Sequence, residues 1–229
     1  MDPNTRIIQC HQLKSGDVLL CVLEGRDAAA IARMTHTTYT HAAICYSSTE
    51  VVEVMEGGIR KATVQQFVSE CVHAAVLRNP YVWTQTRVKA LQEFLDDSIN
   101  KQTAYHDEGV KTFRQRRKEH QWALLAKVKA FVTDGLEPQP HKKLEYICSE
   151  LVAACFVEVG IMDSGAAIAY QSDTYSAGDL AKETMFGFFV GYLKPEPTVQ
   201  IPADDEFANA LMLSEVAQMD NKTATPNRP

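Results

Sequence analysis

The sequence lacks the segments that would place it in a membrane or send it through a secretory pathway. None of its apolar runs approaches the roughly 18–20 residues that span a bilayer. The first residues, MDPNTRIIQCHQLKSGD, contain no basic start, apolar stretch or small-residue cleavage site. We therefore expect no transmembrane segment and no cleavable signal peptide. The chain would stay in the cytoplasm of the cell that produces it, or leave by a route that needs no such signal.

Paired cysteines and zinc-ligand patterns are also missing. The six cysteines are scattered, no CxxC pair occurs, and no His/Cys cluster has the spacing of zinc ligands. We expect no metal site and no disulfide framework. Most of the thiols should be small buried apolar groups in a reducing compartment.

An excess of positive charge is absent as well. The net charge is −6 and the pI is near 5.6, which argues against a protein that mainly binds nucleic-acid phosphates. The most basic stretch, KTFRQRRK at residues 111–118, is predicted to be a solvated helix face. No nucleic-acid partner is expected.

What the sequence does contain is the composition of a globular domain. Hydrophobic residues make up 45% and charged residues 23%, and there are no internal repeats. We predict one domain over residues 1–200, with residues 84–135 as a helical insertion. Residues 201–229 are predicted to be an acidic tail, helical and then disordered.

The hydrophobic periodicity changes along the chain. A period near two predicts strands at residues 18–23, 42–46, 51–55, 59–62, 71–77 and 186–193. A period near 3.6 predicts helices at residues 27–34, 63–69, 146–159 and 176–184, with two more in residues 84–134. The second of those two would bury the apolar stripe Leu124, Leu125, Val128 and Phe131. The class is α+β.

Cys148 is the best nucleophile candidate among the cysteines. It lies in the first turn of a predicted apolar helix, where the helix dipole and free backbone N–H groups favour a thiolate. The alternative is an ordinary buried helical cysteine.

A histidine and a carboxylate occur in the predicted hairpin. His41 opens one strand, and Glu53 lies in the middle of the next, between two valines. A carboxylate in an apolar strand needs a partner, because burying it alone is costly. If the strands pair, Glu53 can orient the His41 ring. Cys148 as nucleophile, His41 as base and Glu53 as the orienting group would then form the usual catalytic arrangement of a cysteine hydrolase. A bulge near Gly57 would aim Glu56 there instead, so either glutamate can be the third member.

Four segments together resemble a known family. LKSGDVLL, THAAICYSSTEVVEV, GGIRKATVQQF and YICSELVAACF occur in the order seen in circularly permuted NlpC-type papain-fold hydrolases. The resemblance is to the YiiX/YaeF-like branch, related to the lecithin:retinol acyltransferase group, and it covers about residues 12–195. It implies a permuted papain-like fold, in which an antiparallel sheet packs on the nucleophile helix.

The same resemblance implies roles for individual residues. Cys148 matches the nucleophile, His41 the general base and Glu53 the third member. Tyr146 matches an aromatic that lines the site or donates its hydroxyl to the oxyanion, together with the Cys148 backbone N–H; its alternative is core packing. The implied chemistry is acyl transfer through a thioester, which requires no cofactor.

Three functions remain open at this stage. The leading hypothesis is a peptidoglycan peptide amidase or endopeptidase, acting as an exported antibacterial effector whose partners would be a secretion system or an immunity protein. The second is a lipid or N-acyl amidase or acyltransferase, which would have an apolar groove in place of a polar cleft. The third is a non-catalytic binding module.

Overall fold

The computed structural model describes residues 6–135 and 142–208. The strands are β1 Val18–Val22, β2 His41–Cys45, β3 Glu50–Met55, β4 Gly58–Thr63, β5 His73–Arg78, β6 Ala104–Tyr105, β7 Glu145–Tyr146 and β8 Phe188–Leu193. The helices are α1 Arg26–Thr35, α2 Val64–Ser69, α3 Gln85–Asn100, α4 Asp107–Asp134, α5 Cys148–Glu158, α6 Ser164–Ala169 and α7 Ala177–Lys182. The α+β class is confirmed.

Six strands form one antiparallel sheet in the order β4-β3-β2-β1-β5-β8. Its apolar strands fill both faces. On one face, Ile44 and Leu77 belong to a core with Leu91 of α3 and Phe156 of α5. On the other face, Leu19 and its neighbours pack against Phe67 of α2. Helix α5 is therefore a central element, which explains why its sequence is apolar on nearly all sides.

A second, very small sheet joins the segment between α3 and α4 to the segment before α5. Strands β6 and β7 pair in parallel, with Ala104 opposite Glu145 and Tyr105 opposite Tyr146. Helix α5 was expected to begin at Tyr146, but this pairing makes Tyr146 a strand residue. Cys148 is consequently the first residue of the helix.

Two expectations about side chains are wrong. Cys21 and Cys71 form a disulfide, although the sequence spacing gave no sign of one. The two cysteines are 50 residues apart and meet only because β1 and β5 are neighbours in the sheet. In the second predicted stripe, Leu125 is 85% exposed and Val128 is exposed as well, whereas Leu124 and Phe131 are half-buried.

The first residues of the predicted tail belong to the described part of the chain. Residues 201–208 pack on the domain, where Asp205 and Phe207 are buried and the Phe207 ring stacks on Phe189 at 4.6 Å. The rest of the predicted tail, residues 209–229, lies outside the described residues. Within the described ranges, no helix is both long and apolar enough to cross a bilayer.

Candidate active site

The first residue of α5 is held in place by the chain segment before it. The Ile147 N–H donates to Glu150 Oε2 at 3.2 Å, and the fully buried Glu150 carboxylate also binds Lys143 Nζ at 2.5 Å. The Lys143 N–H in turn donates to the Tyr146 hydroxyl at 2.8 Å. These bonds fix the start of α5, and with it the Cys148 side chain.

The beginning of β2 is open on the side that faces β3. The β2–β3 ladder pairs only Ile44 with Val52 and Cys45 with Val51, so Ala42 has no ladder partner in β3. The Ala42 N–H instead donates to the Cys148 sulfur. This opening lets a side chain from α5 reach the start of β2, where His41 lies.

His41 joins Cys148 to Glu53. Its Nε2 is 2.6 Å from Glu53 Oε2, and its ring also hydrogen bonds with Cys148. His41 is 5% exposed, and its ring packs near Phe67 of α2, with the ring centroids 6.2 Å apart. The structure thus brings together the three side chains for which the sequence predicted a nucleophile, a base and an orienter.

The electrostatics of this chain of contacts favour an ion pair. Burial of the His41 ring opposes its protonation, but the contacts with Cys148 and Glu53 raise its pKa to about 10. Burial of the Cys148 thiol opposes ionisation, yet His41 and the backbone N–H groups of Ala42 and Ser149 lower its pKa below the ordinary 9.0. A thiolate beside an imidazolium is the reactive form of a catalytic cysteine.

The neighbours of Glu53 also favour its ionised form. Its burial raises the pKa, but the contacts with His41 and with Arg60 lower it overall. Arg60 Nε donates to Glu53 Oε1 at 3.0 Å, and the guanidinium also binds Glu70. Glu56 lies in the β3–β4 turn, exposed, and no bond joins it to His41 in the described residues.

Arg60 is a residue that the sequence reasoning missed. A hairpin that turns at Glu56 and Gly57 places position 60 directly opposite position 53, which is the register observed. The signal was present in the two glycines after Glu56, which favour a tight turn.

The predicted aromatic, Tyr146, occupies a different environment from the other site residues. Its side chain is 1% exposed, its ring belongs to the core, and its hydroxyl accepts the bond from Lys143. This favours the core-packing alternative, and a direct role for Tyr146 stays a prediction. Tyr105, its partner in the β6–β7 ladder, lines the cavity beside Cys148.

That cavity has a volume of about 1300 Å³ and lies between α1, the β3–β4 turn, β6, the first turns of α4 and the start of α5. Its apolar walls include Leu23, Ile31, Met34, Val54, Ile99 and Phe113. Four carboxylate residues line it as well, namely Glu24, Asp27, Glu56 and Asp107. Lys111, which also lines the cavity, is bonded to Asp107. Across residues 6–135 and 142–208, no group of three or more His, Cys, Asp or Glu side chains is placed to hold a metal ion.

Comparisons with known proteins give a distant structural similarity. No protein-family model matches the chain, and no curated protein matches it. Among solved structures, it is similar to the crystal structure of the metalloprotein YiiX from Escherichia coli O157:H7, with a TM-score of 0.43 and 12% identity. The alignment covers 82% of this chain and 91% of that one. The permuted papain-like connectivity stays a prediction at this level of similarity.

Proposed function

We propose that this protein is a cysteine hydrolase that cleaves amide bonds through a thioester intermediate. The observation that carries the proposal is the continuous contact from Cys148 to His41 to Glu53 beside a large cavity. A buried thiol with an ordinary structural role has a raised pKa, as Cys45 does through burial. Cys148 differs from it because its contacts favour the thiolate.

The proposed reaction has two halves. The Cys148 thiolate attacks the substrate carbonyl carbon, the C–S bond forms, and the electron pair of the carbonyl π bond moves to oxygen. When that oxyanion collapses, the C–N bond breaks and the His41 imidazolium protonates the leaving amine. Water, deprotonated by the now neutral His41, then attacks the thioester and releases the acid and the thiolate. Glu53 keeps the ring oriented in both halves.

The first substrate candidate is a cell-wall peptide. The carboxylates Glu24, Asp27 and Glu56 give part of the cavity a negative charge, which suits the free amino groups of diamino acids in stem peptides. Under this proposal the protein is exported to act on the wall of another cell. A secretion system and an immunity protein would then be its partners.

The second candidate is an N-acyl amide. Part of the cavity lining is apolar and comes from Ile31 and Met34 of α1 and Phe113 of α4. An acyl chain would pack against these side chains, whereas a peptide backbone does not need an apolar surface. The carboxylates would then meet a polar or cationic head group.

The experiment gives both substrates to the same preparations. Purified peptidoglycan and N-lauroylglycine are each incubated with wild type and with Cys148→Ala, and the products are identified by mass spectrometry. We expect new fragments from one substrate, reduced roughly 10⁴-fold or more in the variant. The bond cut would identify the substrate class. Equal product formation by wild type and Cys148→Ala would contradict a cysteine hydrolase.

A further inference from the structure

The Cys21–Cys71 disulfide lies on the same face of the sheet as His41. Cys21 is directly opposite His41 in the antiparallel β1–β2 pairing. Opposite residues of such a pair project from one face, with Cβ atoms about 5 Å apart. Both cysteines also belong to the core on that face, as does Phe67, whose ring packs near the His41 ring. The bridge is therefore a neighbour of the histidine in the candidate active site.

The other end of the bridge is connected to Glu53. Cys71 follows Glu70 directly, at the end of α2, and the Glu70 carboxylate binds the Arg60 guanidinium. Arg60 Nε in turn donates to Glu53 Oε1 at 3.0 Å. Cys21 thus lies beside the base, and Cys71 is joined through two side chains to the carboxylate that orients the base.

The other restraints on the end of α2 are weaker than a covalent bond. The helix has six residues, and three buried apolar side chains hold it on the sheet, but such packing is not directional. The N–H groups of Glu70 and Cys71 donate only within the end of α2, and the Val72 N–H donates to Val22 O at 2.9 Å. Arg60 and Glu70 are 36% and 37% exposed, and an ion pair this exposed is weak by itself. It supports Glu53 only if the backbone keeps Glu70 in place.

We propose that the Cys21–Cys71 disulfide regulates the candidate active site. With the bond formed, α2 holds Glu53 and His41 in the arrangement described above; with the bond reduced, this arrangement loosens and hydrolysis slows. The inference rests on the proposed cysteine hydrolase. The two cysteines are positioning residues, since the described lining of the cavity contains neither of them.

The change of state is a thiol–disulfide exchange with a dithiol. One thiolate of the dithiol attacks a bridge sulfur, the S–S bond breaks, and a mixed disulfide forms while the other cysteine leaves and takes up a proton. The second thiol of the reagent then displaces the remaining cysteine, and the dithiol leaves as a cyclic disulfide that has given up two electrons. A reducing compartment therefore favours the slow form, and an oxidising compartment favours the bridged, active form.

The test compares bridged wild type with two unbridged forms. One is wild type refolded from urea with dithiothreitol and then desalted without oxygen, and the other is the Cys21→Ala/Cys71→Ala variant. Acylation of Cys148 by p-nitrophenyl acetate and its alkylation by iodoacetamide are assigned to Cys148 by peptide mass spectrometry. In both unbridged forms we expect acylation to slow about 10–100-fold. The acid limb of the pH profile of alkylation should move to higher pH, because a less well-held His41 favours the thiolate less.

Two further variants separate positioning from stability. Met162→Ala removes a buried side chain beyond the far end of α5. It should lower the stability of the fold and leave both rates and the profile of the folded protein unchanged. Glu70→Gln keeps the bridge and removes the charge that binds Arg60, so the acid limb should move in the same direction by a smaller amount. Because Glu70 is exposed, this variant gives a result even if the unbridged forms do not fold.

Each other result has a defined meaning. Equal rates and profiles in the bridged and unbridged forms, or an unchanged profile in Glu70→Gln, would overturn the inference and leave the proposed function standing. Slowing in Met162→Ala as large as in the unbridged forms would assign the effect to stability and also overturn it. So would slowing in reduced wild type but not in Cys21→Ala/Cys71→Ala, which would assign the effect to the free thiols. A bridged Cys148 that is alkylated but never acylated would contradict the proposed function itself, and the inference with it.

Discussion

Among the residues that the structure describes, the buried pairs His41–Glu53 and His73–Asp205 have different surroundings. His41 and Glu53, 2.6 Å apart, face Cys148 and the cavity. His73 Nε2 is 3.2 Å from Asp205 Oδ2. Asp205 also accepts bonds from the hydroxyls of Tyr39 and Tyr192. The first pair contacts the Cys148 thiol, and the second contacts phenol hydroxyls and aromatic rings.

The difference shows what makes a buried ion pair a candidate for catalysis. Both pairs are nearly inaccessible to solvent, so burial does not distinguish them. What distinguishes them is the third neighbour: a thiol whose pKa is lowered beside His41, and tyrosine hydroxyls whose pKa is raised by burial and then by Asp205 in the other cluster. The second cluster has the character of a structural anchor, since it ties residues 201–208 to the sheet.

The largest expected effect is the loss of hydrolysis when His41 of the first pair is replaced. His41→Ala should lower hydrolysis by about 10⁴-fold, because it removes the base and the partner of the thiolate. Turnover of the substrate identified above, on protein shown to be folded by its thermal denaturation, is the measurement. His11→Ala, at an exposed histidine, is the control. A folded His41→Ala variant that keeps a tenth of the activity would contradict the role of His41.

The second prediction is a loss of stability when the Cys21–Cys71 disulfide, which lies between the two histidine–carboxylate pairs, is removed. Cys21 lies opposite His41 in the β1–β2 pairing, and Cys71 precedes His73 by two residues. The bridge closes a loop with a sequence separation of 50, for which chain entropy gives about 4 kcal/mol of stabilisation. In urea denaturation, the free energy of unfolding of Cys71→Ser should fall by about this amount. That of Cys10→Ser should change little. Equal stability of wild type with and without reductant would be evidence against the bond.

The anchor itself should matter for stability. Asp205→Ala leaves buried hydroxyls without an acceptor and should lower the free energy of unfolding by about 3 kcal/mol. Asp204→Ala, at the exposed neighbour, should change it by less than about 0.5 kcal/mol. Chemical denaturation measures both variants. Similar values for the two would mean that residues 201–208 do not stabilise the domain.

Asp205 also gives the anchor a pH dependence. Burial opposes ionisation, but His73, Tyr192, the Phe207 N–H and Tyr39 hold the pKa of Asp205 below its ordinary value. A depressed carboxyl pKa stabilises the fold above its unfolded value of about 3.9, and that contribution is lost as the pH falls through the folded pKa. Acid unfolding of Asp205→Asn should therefore be less steep than that of wild type.

The smallest effect is a shift in a pH profile. Glu53→Gln removes a charge that raises the pKa of His41. Because the His41 imidazolium protonates the leaving amine, the alkaline limb of the hydrolysis profile should move to lower pH from a position near 10. The acid limb should move up, because a less stable imidazolium favours the thiolate less. The profile narrows from both sides, and hydrolysis should fall by about 10–100-fold. Glu56→Gln is the matched control. An unchanged profile in Glu53→Gln, with a narrowed one in Glu56→Gln, would assign the third member to Glu56.

Local sequence patterns were enough to predict most of the helices and strands. The change of hydrophobic period near residue 84 separated strands from helices, and the glycines at positions 57 and 58 marked the β3–β4 turn. Cys148, His41 and Glu53 could be singled out because each is unusual for its own segment: a cysteine at a helix start, and polar groups in apolar strands. Such signals are carried by neighbours in sequence, so one chain is sufficient to read them.

The remaining features depend on which distant segments meet. Tyr105 reaches the cavity that Cys148 lines only through a two-residue parallel ladder. Cys21 reaches Cys71 only through the β1–β5 pairing, and Asp205 reaches His73 across 132 residues. The sequence alone determined the α+β fold class, most of the helices and strands, and the candidate residues Cys148, His41 and Glu53. The tertiary structure decided which glutamate contacts His41 and which tyrosine faces the cavity. Strand order and packing set those distances, and neither is encoded in a local spacing.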